Sequence, residues 1–600
     1  MRRLFLFYLF FSLVTLRSGL AKELEFNLDI NSSTIVLPKI FRPNLDLSGG
    51  GYHSQAWWPQ NLASPQVLEI WEKEIGFSGI YRIQFNLWQI NQLAKDKELQ
   101  DRLLGSYEAI LKKITDSGGV VILNLFGTPA GLGRVLDKRS VTWDLKAFKE
   151  FVKYFMRIFS CEKKYNVWYE VWTAPDLEEF FLGRTQDYLN LYRMIAEAAK
   201  ELEQETKINI PVGGPSVSWW FQNLEGNNIL NPERSLIYEL IQFCYRHQLP
   251  LDFISWHAYT TDPQAEKELT IYDKNVASLI KDWLTYFNFD KNTCLIIDEW
   301  NYDRDANLLP ERAEYANITA SYIPARIRNM YEAGLDYQLY FSLEDFDKNP
   351  EGVVRNTGLF RFEPEGTSDK PAPKSTYNIF KILASLGNDL FVSSLKFNDD
   401  FLGIIAVRSA DQINLLIYNY IDPDILINYI SRNLPLLNNA EKRSVINLIK
   451  NKDLALLKEN KLNLENLHLT TKVKNLLKKA LDLDNKAKRF SKESRILKIN
   501  IKNLKEDYLY QRYVIEDKGT NLLPVEEKRL EKLDLFSQSL EIKPYSVQFL
   551  LIKKKPAEPE VTLEESTEEI KSEKDEIKES LPQKTSPELS VKPEIEPEPK

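Results

Sequence analysis

Short apolar runs alternate with amphipathic stretches over residues 40–390, and this alternation constrains the fold more than any other feature. Seven runs have the length and composition of buried strands, and an eighth, shorter run precedes Ser48-Gly49-Gly50-Gly51. They cover residues 80–85, 120–126, 167–172, 208–212, 253–259, 295–300 and 337–343, with 45–47 as the eighth. Helix-like stretches such as 95–117, 145–159, 185–205 and 312–333 separate them. Eight such β–α units predict a closed (β/α)8 barrel of the α/β class. A doubly wound open sheet is the rival, and it is disfavoured because no Gly-x-Gly-x-x-Gly turn opens a helix.

A chain of 600 residues is expected to contain two or three domains. We assign the barrel to residues 35–388. Alternating, strand-like segments such as 401–407, 412–418, 508–515 and 547–552 predict a β-sandwich over 389–554, and the Leu-, Lys- and Asn-rich stretch at about 425–495 predicts a helical insertion in it. Residues 555–600 are dominated by Glu, Lys, Pro and Ser, so this tail is predicted to be disordered.

The N-terminus has the layout of a secretory signal peptide over residues 1–21. Arg2 and Arg3 precede an apolar run at 4–16, and Gly19-Leu20-Ala21 supplies small residues at a cleavage point. The alternative is an uncleaved membrane anchor, although the run is short for a spanning helix. We therefore expect an exported protein (secreted, periplasmic or cell-surface), with a membrane as partner only if the segment is retained.

Charge and composition exclude several classes of partner. A net charge of -8 disfavours nucleic acid, which is bound through a basic face. The 4 His and 3 Cys are scattered without zinc-ligand spacing, so neither a metal nor another cofactor is expected.

Four short motifs occur in order, each at the end of a predicted strand: Trp168-Tyr169-Glu170-Val171-Trp172, Gly213-Gly214-Pro215, His257-Ala258-Tyr259 and Asp298-Glu299-Trp300-Asn301. Together they resemble glycoside hydrolase family 39, the family of β-xylosidases and α-L-iduronidases. The resemblance runs through most of residues 40–390. It implies a barrel with a companion β-sandwich, a carbohydrate substrate, and a retaining mechanism that uses two carboxyl groups roughly 5–5.5 Å apart.

The resemblance makes Glu299 the nucleophile but leaves the acid/base position without an acid. Where the family has Asn-Glu-Pro, this chain has Thr173-Ala174-Pro175. Glu170 cannot substitute, because four residues along a strand place it ~13 Å below the rim. We expect it to be an interior residue paired with Arg82.

Asp176 is the substitute acid that we consider, because its Cα is within ~7 Å of that of Ala174. Four other carboxylates lie near predicted rims, and a solvated loop position is the simpler interpretation of each: Glu178, Glu179, Glu344 and Asp345.

Five residues are predicted to bind substrate: His257, Tyr259, Trp300, Trp172 and Thr173. His257 could instead orient the nucleophile or be purely structural. The alternative for each Trp is core packing.

Three functions fit these features. The first is a glycosidase that acts on O-glycosidic bonds of an oligo- or polysaccharide, with Glu299 as nucleophile and a relocated acid. The second is a carbohydrate-binding protein without turnover, and the third is a transglycosidase. The sequence does not set the sugar, the linkage or the oligomeric state.

Overall fold

The computed structural model describes residues 24–49, 57–229, 231–267, 274–302, 316–345, 357–362, 371–516 and 522–555. Eight parallel strands close into a barrel, which confirms the predicted fold class. From first to eighth, the strands are Leu45–Asp46, Ile80–Asn86, Val120–Phe126, Val167–Val171, Val212–Val217, Phe253–His257, Cys294–Trp300 and Tyr337–Tyr340.

Helices between and after the strands cover the outside of the barrel. The helix Leu145–Met156 shows why: Phe148, Val152 and Phe155 recur every three or four residues and are buried, and Asp144 caps its first turn by accepting from Ala147 N at 2.9 Å. The helices of this region are Pro65–Glu74, Leu87–Gln92, Lys97–Asp116, Leu145–Met156, Thr185–Thr206, Leu236–His247, Val276–Tyr286, Ala316–Glu332 and Ser375–Ser385.

The fifth barrel strand lies later in the chain than its predicted span of 208–212. It runs over Val212–Val217 and includes Gly213-Gly214-Pro215, a composition that usually ends a strand. The reason is close packing, since a Cβ on Gly213 would overlap the carbonyl oxygen of Phe253 on the sixth strand. The predicted span at 208–212 is therefore wrong.

Two further sheets pack face to face as the β-sandwich. A seven-stranded sheet has the order Thr34–Val36, Asp389–Phe391, Leu402–Arg408, Gln412–Asn419, Val547–Lys554, Tyr508–Ile515 and Pro524–Leu530. A three-stranded sheet has the order Leu24–Asp29, Arg495–Leu504 and Leu533–Ile542. Residues from both sheets, such as Leu28, Leu415 and Ile499, share one apolar core. Strands that precede the barrel in sequence thus belong to the sandwich.

The helical insertion lies between strands Gln412–Asn419 and Arg495–Leu504 of the sandwich. Its helices are Ile425–Asn433, Asn439–Lys450, Asp453–Lys458 and Thr471–Phe490. They bury a core of their own that includes Ile430, Val445 and Leu477. The predicted signal peptide and most of the predicted tail lie outside the described residues, and among those that are described no helix is long and apolar enough to cross a bilayer.

Candidate active site

A layer of polar side chains lies inside the barrel, above an apolar floor. The floor is formed by Ile80, Ile122, Phe253, Ile296 and Leu339. Because side chains alternate along a strand, the residue two positions later faces inward again. Four of these next inward positions, with their equivalents on the first and fourth strands, are buried and polar: Asp46, Arg82, Asn124, Glu170, Ser255 and Asp298. The barrel therefore concentrates charge directly beneath its carboxyl-terminal rim.

Arg82 lies at the centre of this layer and uses all five of its N–H donors. Nε binds Glu170 Oε2 at 2.7 Å, and Nη1 binds both Asp46 Oδ2 at 2.8 Å and Glu299 Oε2 at 3.1 Å. Nη2 donates to Thr173 Oγ1 at 3.0 Å and to Ser216 Oγ at 3.2 Å. The predicted pairing of Glu170 with Arg82 is confirmed.

The pKa values of the carboxyl groups around Arg82 shift in different directions, because one guanidinium cannot offset the cost of burying all of these charges. Burial raises the pKa of Asp298 well above its usual range, and the nearby charge of Glu170 raises it further. Burial also raises the pKa of Asp46, to about 6, against the opposing effect of Arg82. For Glu170, burial is outweighed by Arg82 and by hydrogen bonds, including one with Asp298, so its pKa is lowered. The surroundings thus favour the neutral form of Asp298 and the ionised form of Glu170.

A β-bulge allows two consecutive acids, Asp298 and Glu299, to reach the same site. The register of the sixth and seventh strands pairs Trp256 with Ile297 and then His257 with Glu299, so Asp298 is the extra residue. Such a bulge re-aims the side chain that follows it. Asp298 is buried in the polar layer, and Glu299 lies next to the rim.

Glu299 is the carboxylate of the cluster that reaches the solvent. Its side chain is 15% exposed, whereas those of Asp46, Glu170 and Asp298 are at most 1% exposed. The Tyr259 hydroxyl donates a short hydrogen bond to Glu299 Oε1, and His257 Nε2 lies 3.4 Å from Glu299 Oε2. The structure therefore brings together three predicted site residues, and it holds the Glu299 carboxylate between Arg82 and Tyr259.

Comparison with known proteins identifies the family. The glycosyl hydrolases family 39 model matches residues 127–454, which is more than half of the chain. This chain belongs to glycosyl hydrolases family 39. Two relatives of this family 39 glycosidase are named beta-xylosidases. That of Caldicellulosiruptor saccharolyticus is 22% identical over 390 residues, which is 60% of this chain and 73% of the relative. That of Geobacillus stearothermophilus is 28% identical over 246 residues, which is 40% of this chain and 45% of the relative.

Solved structures share the fold of the family 39 chain. The GH39 enzyme from Xanthomonas axonopodis pv. citri superimposes with a TM-score of 0.58 at 14% identity, covering 90% of this chain and 99% of that one. A monomeric beta-xylosidase from Caulobacter crescentus CB15 has a TM-score of 0.56 at 15% identity, with 88% and 99% covered.

The segment after the fourth strand places Thr173 and Ala174 in buried positions. Ala174 has a φ of +40°, is 1% exposed, and donates its backbone N–H to Ser216 O at 2.8 Å. Thr173 is buried, and its hydroxyl accepts from Arg82, which leaves the hydroxyl proton available to a ligand. Its role in substrate binding stays a prediction.

Trp172 and Trp300 do not line the cleft, which corrects the prediction that they bind substrate. Both indoles have no exposed surface. Trp172 donates from Nε1 to Phe180 O at 3.1 Å, and Trp300 donates from Nε1 to Gln338 Oε1 at 2.7 Å. Aromatic rings cover them, with Phe126 and Phe181 on Trp172 and with Tyr322 and Tyr340 on Trp300. Each is a core residue with a satisfied N–H.

Asp176 is half-buried just beyond Ala174, and its carboxylate accepts from the backbone N–H of Ser218 at 2.9 Å and from the Ser218 hydroxyl. Its role as a substitute acid stays a prediction.

The other carboxylates near the rim have different surroundings. Glu178 and Glu179 are exposed. Glu344 is buried and accepts from Ser64 N at 2.6 Å. Asp345, whose pKa is raised by burial, pairs with Lys374 at 2.5 Å.

Sequence reasoning missed several members of the polar layer: Asp46, Asn124, Ser216 and Asp298. The signal was present, because single polar residues interrupt apolar runs at matching positions, as in Ile80-Tyr81-Arg82-Ile83 and Ile122-Leu123-Asn124-Leu125. Aligning the strands by these interruptions predicts the layer.

Proposed function

We propose that this family 39 protein is an exported glycosidase that cleaves O-glycosidic bonds of an oligo- or polysaccharide with retention of configuration. The observation that carries the proposal is the setting of Glu299. It is the solvent-reaching carboxylate above a buried charged layer, and it is held by Arg82 and Tyr259 with His257 beside it. The beta-xylosidase relatives make a β-xyloside the first substrate to test.

In the first step, Glu299 attacks the anomeric carbon, the bond to the leaving oxygen breaks, and a glycosyl ester forms. Arg82 and Tyr259 hold the carboxylate in the attacking geometry without reorganisation. As the ester forms, the negative charge passes from Glu299 to the leaving oxygen. A carboxylic acid normally protonates that oxygen, but Ala174 stands at its position.

The missing acid determines which substrates react well. General acid–base assistance is worth roughly 10²–10⁴-fold, or about 3–5 kcal/mol. A dinitrophenolate leaves without a proton, whereas the alkoxide of a natural sugar depends on one. We therefore expect activated aryl glycosides to form the glycosyl-enzyme readily and natural glycosides to react slowly.

A second candidate is a carbohydrate-binding protein without turnover. Ala174 favours it, because the side chain at the acid/base position has no titratable group. In that case Glu299, Arg82 and Tyr259 would bind sugar hydroxyls only.

The test is trapping with 2,4-dinitrophenyl β-D-xyloside, followed by intact-mass spectrometry and peptide mapping. We expect one pentosyl residue on Glu299, and no adduct in Glu299→Gln. Glu178→Gln is the control, because this exposed glutamate follows the fourth barrel strand near the rim without belonging to the charged layer, and it should label normally. Azide should accelerate turnover, because this anion attacks the ester without needing a general base. Efficient hydrolysis of xylo-oligosaccharides would contradict the empty acid position and point to an acid such as Asp176. Glycan binding without any adduct would support the second candidate.

A further inference from the structure

The loop that carries Tyr259 is fastened to the base of the helical insertion. Three side chains from that base bind Thr261, two residues beyond Tyr259. Tyr420 OH donates to the Thr261 carbonyl at 2.6 Å, and Asn428 Nδ2 donates to Thr261 Oγ1 at 3.1 Å. The Thr261 hydroxyl in turn donates to Asp424 Oδ2 at 3.1 Å. One threonine is thus bound through both its backbone and its side chain.

The residues beside Thr261 are held as well. Arg432 pairs through Nε with Asp262 at 3.1 Å and donates from Nη1 to Gln264 Oε1 at 2.5 Å. The side chains of Arg432 and Asp262 are 11% and 6% exposed, so solvent screens their attraction weakly. On the barrel side, Tyr322 OH donates to the Thr260 carbonyl at 2.5 Å. The loop is therefore fixed from two directions.

The insertion presents these contacts from one helix face. The helix Ile425–Asn433 begins directly after Asp424. Because Asp424, Asn428 and Arg432 are four residues apart, they lie in one row along the helix. Leu426 and Ile430 of the same helix belong to the core that the insertion builds with Thr471–Phe490. We call Tyr420, Asp424, Asn428 and Arg432 the insertion root. Any shift of the insertion core would move the root and the Tyr259 loop together.

We propose that the insertion root is a positioning device for Tyr259, and through it for Glu299. The proposal rests on the proposed role of Glu299 as nucleophile. A hydroxyl donor assists a reacting carboxylate only if it is already in place, because reorganisation during the reaction costs rate. The end of the neighbouring strand binds the backbone N–H groups of Ala258 and Thr260, through Glu299 O at 2.9 Å and Asn301 O at 3.4 Å, and the root extends this order to Thr261. Tyr259 touches the reacting carboxylate, whereas Asn428 acts through the loop and is a positioning residue.

A double-mutant cycle separates positioning from general stabilisation. Tyr259→Phe should slow formation of the glycosyl-enzyme from 2,4-dinitrophenyl β-D-xyloside by at least about 10-fold, through kcat rather than KM. Asn428→Ala should slow it by about 5-fold in the wild type and by less than about 2-fold in the Tyr259→Phe background. Asn433→Ala is the matched control, because the side-chain amide of this asparagine donates to Tyr429 O of the same helix, and it should change neither rate. Equal losses from Asn428→Ala in both backgrounds would overturn the proposal.

Two further measurements keep the proposal testable if a variant folds poorly or the chemistry fails. Thr261→Val should reproduce the loss and Thr261→Ser should restore the rate, since only serine keeps the hydroxyl. Hydrogen–deuterium exchange of the peptide over residues 258–267 should rise in Asn428→Ala and not in Asn433→Ala. If the wild type forms no adduct, the proposed function fails, and the same cycle is then measured on the affinity for xylo-configured isofagomine, a cationic xylose mimic that lacks the hydroxymethyl group of isofagomine. Unchanged exchange in Asn428→Ala would overturn the positioning role whether or not the enzyme turns over.

Discussion

Arg82 and Glu299 are joined by a hydrogen bond of 3.1 Å from Nη1 to Oε2, and the guanidinium that makes it is almost completely buried. The same group pairs with Asp46 and Glu170, which lie beneath Glu299. Replacing it removes the charge that makes their burial tolerable.

Arg82→Met should lower the free energy of unfolding by about 3–5 kcal/mol, because it leaves Glu170 and its neighbours as uncompensated buried charge. Urea denaturation at pH 7 measures this loss. Arg443→Met removes an exposed arginine of the insertion and should cost less than about 0.5 kcal/mol. A loss below about 1 kcal/mol in Arg82→Met would show that the charged layer is not held by this residue.

Ala174→Glu tests the proposal that Ala174 occupies the acid/base position. We expect hydrolysis of natural xylo-oligosaccharides to rise by about 10²-fold or more, and the azide effect to disappear because the new carboxylate activates water and repels the anion. The positive φ at Ala174 is already borne by a residue with a Cβ, so glutamate adds little backbone strain. Initial rates with and without azide measure both effects. Ala174→Gln has nearly the same shape but no acidic proton, so a gain in the Gln variant would refute the acid role.

Trp300→Phe tests the corrected role of this indole. It should lower the free energy of unfolding by about 1–3 kcal/mol, because a buried N–H bond to Gln338 is lost and a cavity forms. The KM for aryl xylosides should change by less than about twofold, since the ring has no exposed face. Trp143→Phe, at an indole that is largely exposed, should leave stability nearly unchanged. A large rise in KM with unchanged stability would contradict this and show that Trp300 contacts the substrate.

The raised pKa of Asp422 leads us to expect that the free energy of unfolding declines with rising pH. Burial, with the charge of Asp262 adding to it, raises the pKa of Asp422 from 3.8 to about 8. The folded protein therefore keeps a proton that the unfolded chain has lost, so the free energy of unfolding falls as the pH rises from about 4 to about 8. The stability that Asp422→Asn gains over the wild type should therefore be larger at pH 8 than at pH 5, by about 1 kcal/mol or more. Urea midpoints at the two pH values give the comparison, with the exposed Asp101→Asn as control. Parallel pH profiles for Asp422→Asn and the wild type would contradict the expected proton uptake.

The barrel could be predicted from sequence because its strands are continuous apolar runs with local helices between them. The inward direction of both Asp298 and Glu299 could not, since strand alternation sends neighbours to opposite faces and the bulge depends on pairing with Trp256 and His257. The burial of Trp172 could not be predicted from sequence for a similar reason. Its φ of +68° turns the indole away from the path of the strand, and no residue type in the segment signals that turn.

The sandwich was predicted in part. Strands such as 412–418 alternate clearly and have partners nearby in sequence, whereas Leu24–Asp29 also alternates but has its partner at Arg495–Leu504. Periodicity identifies the strand and gives no information on so distant a neighbour.

The pairing of Leu24 with Leu497 determines when the N-terminal strand can be incorporated into its sheet during synthesis. The first strand leaves the ribosome without a neighbour, and its neighbour is synthesised only after the whole barrel and the helical insertion. Until then, its apolar side chains Phe26 and Leu28 lack the part of their core that Leu497 and Ile499 supply. A chain that stops early therefore keeps an unpaired strand near its beginning, and unpaired strand edges favour aggregation. Truncation after the barrel thus exposes a strand that lies hundreds of residues before the break.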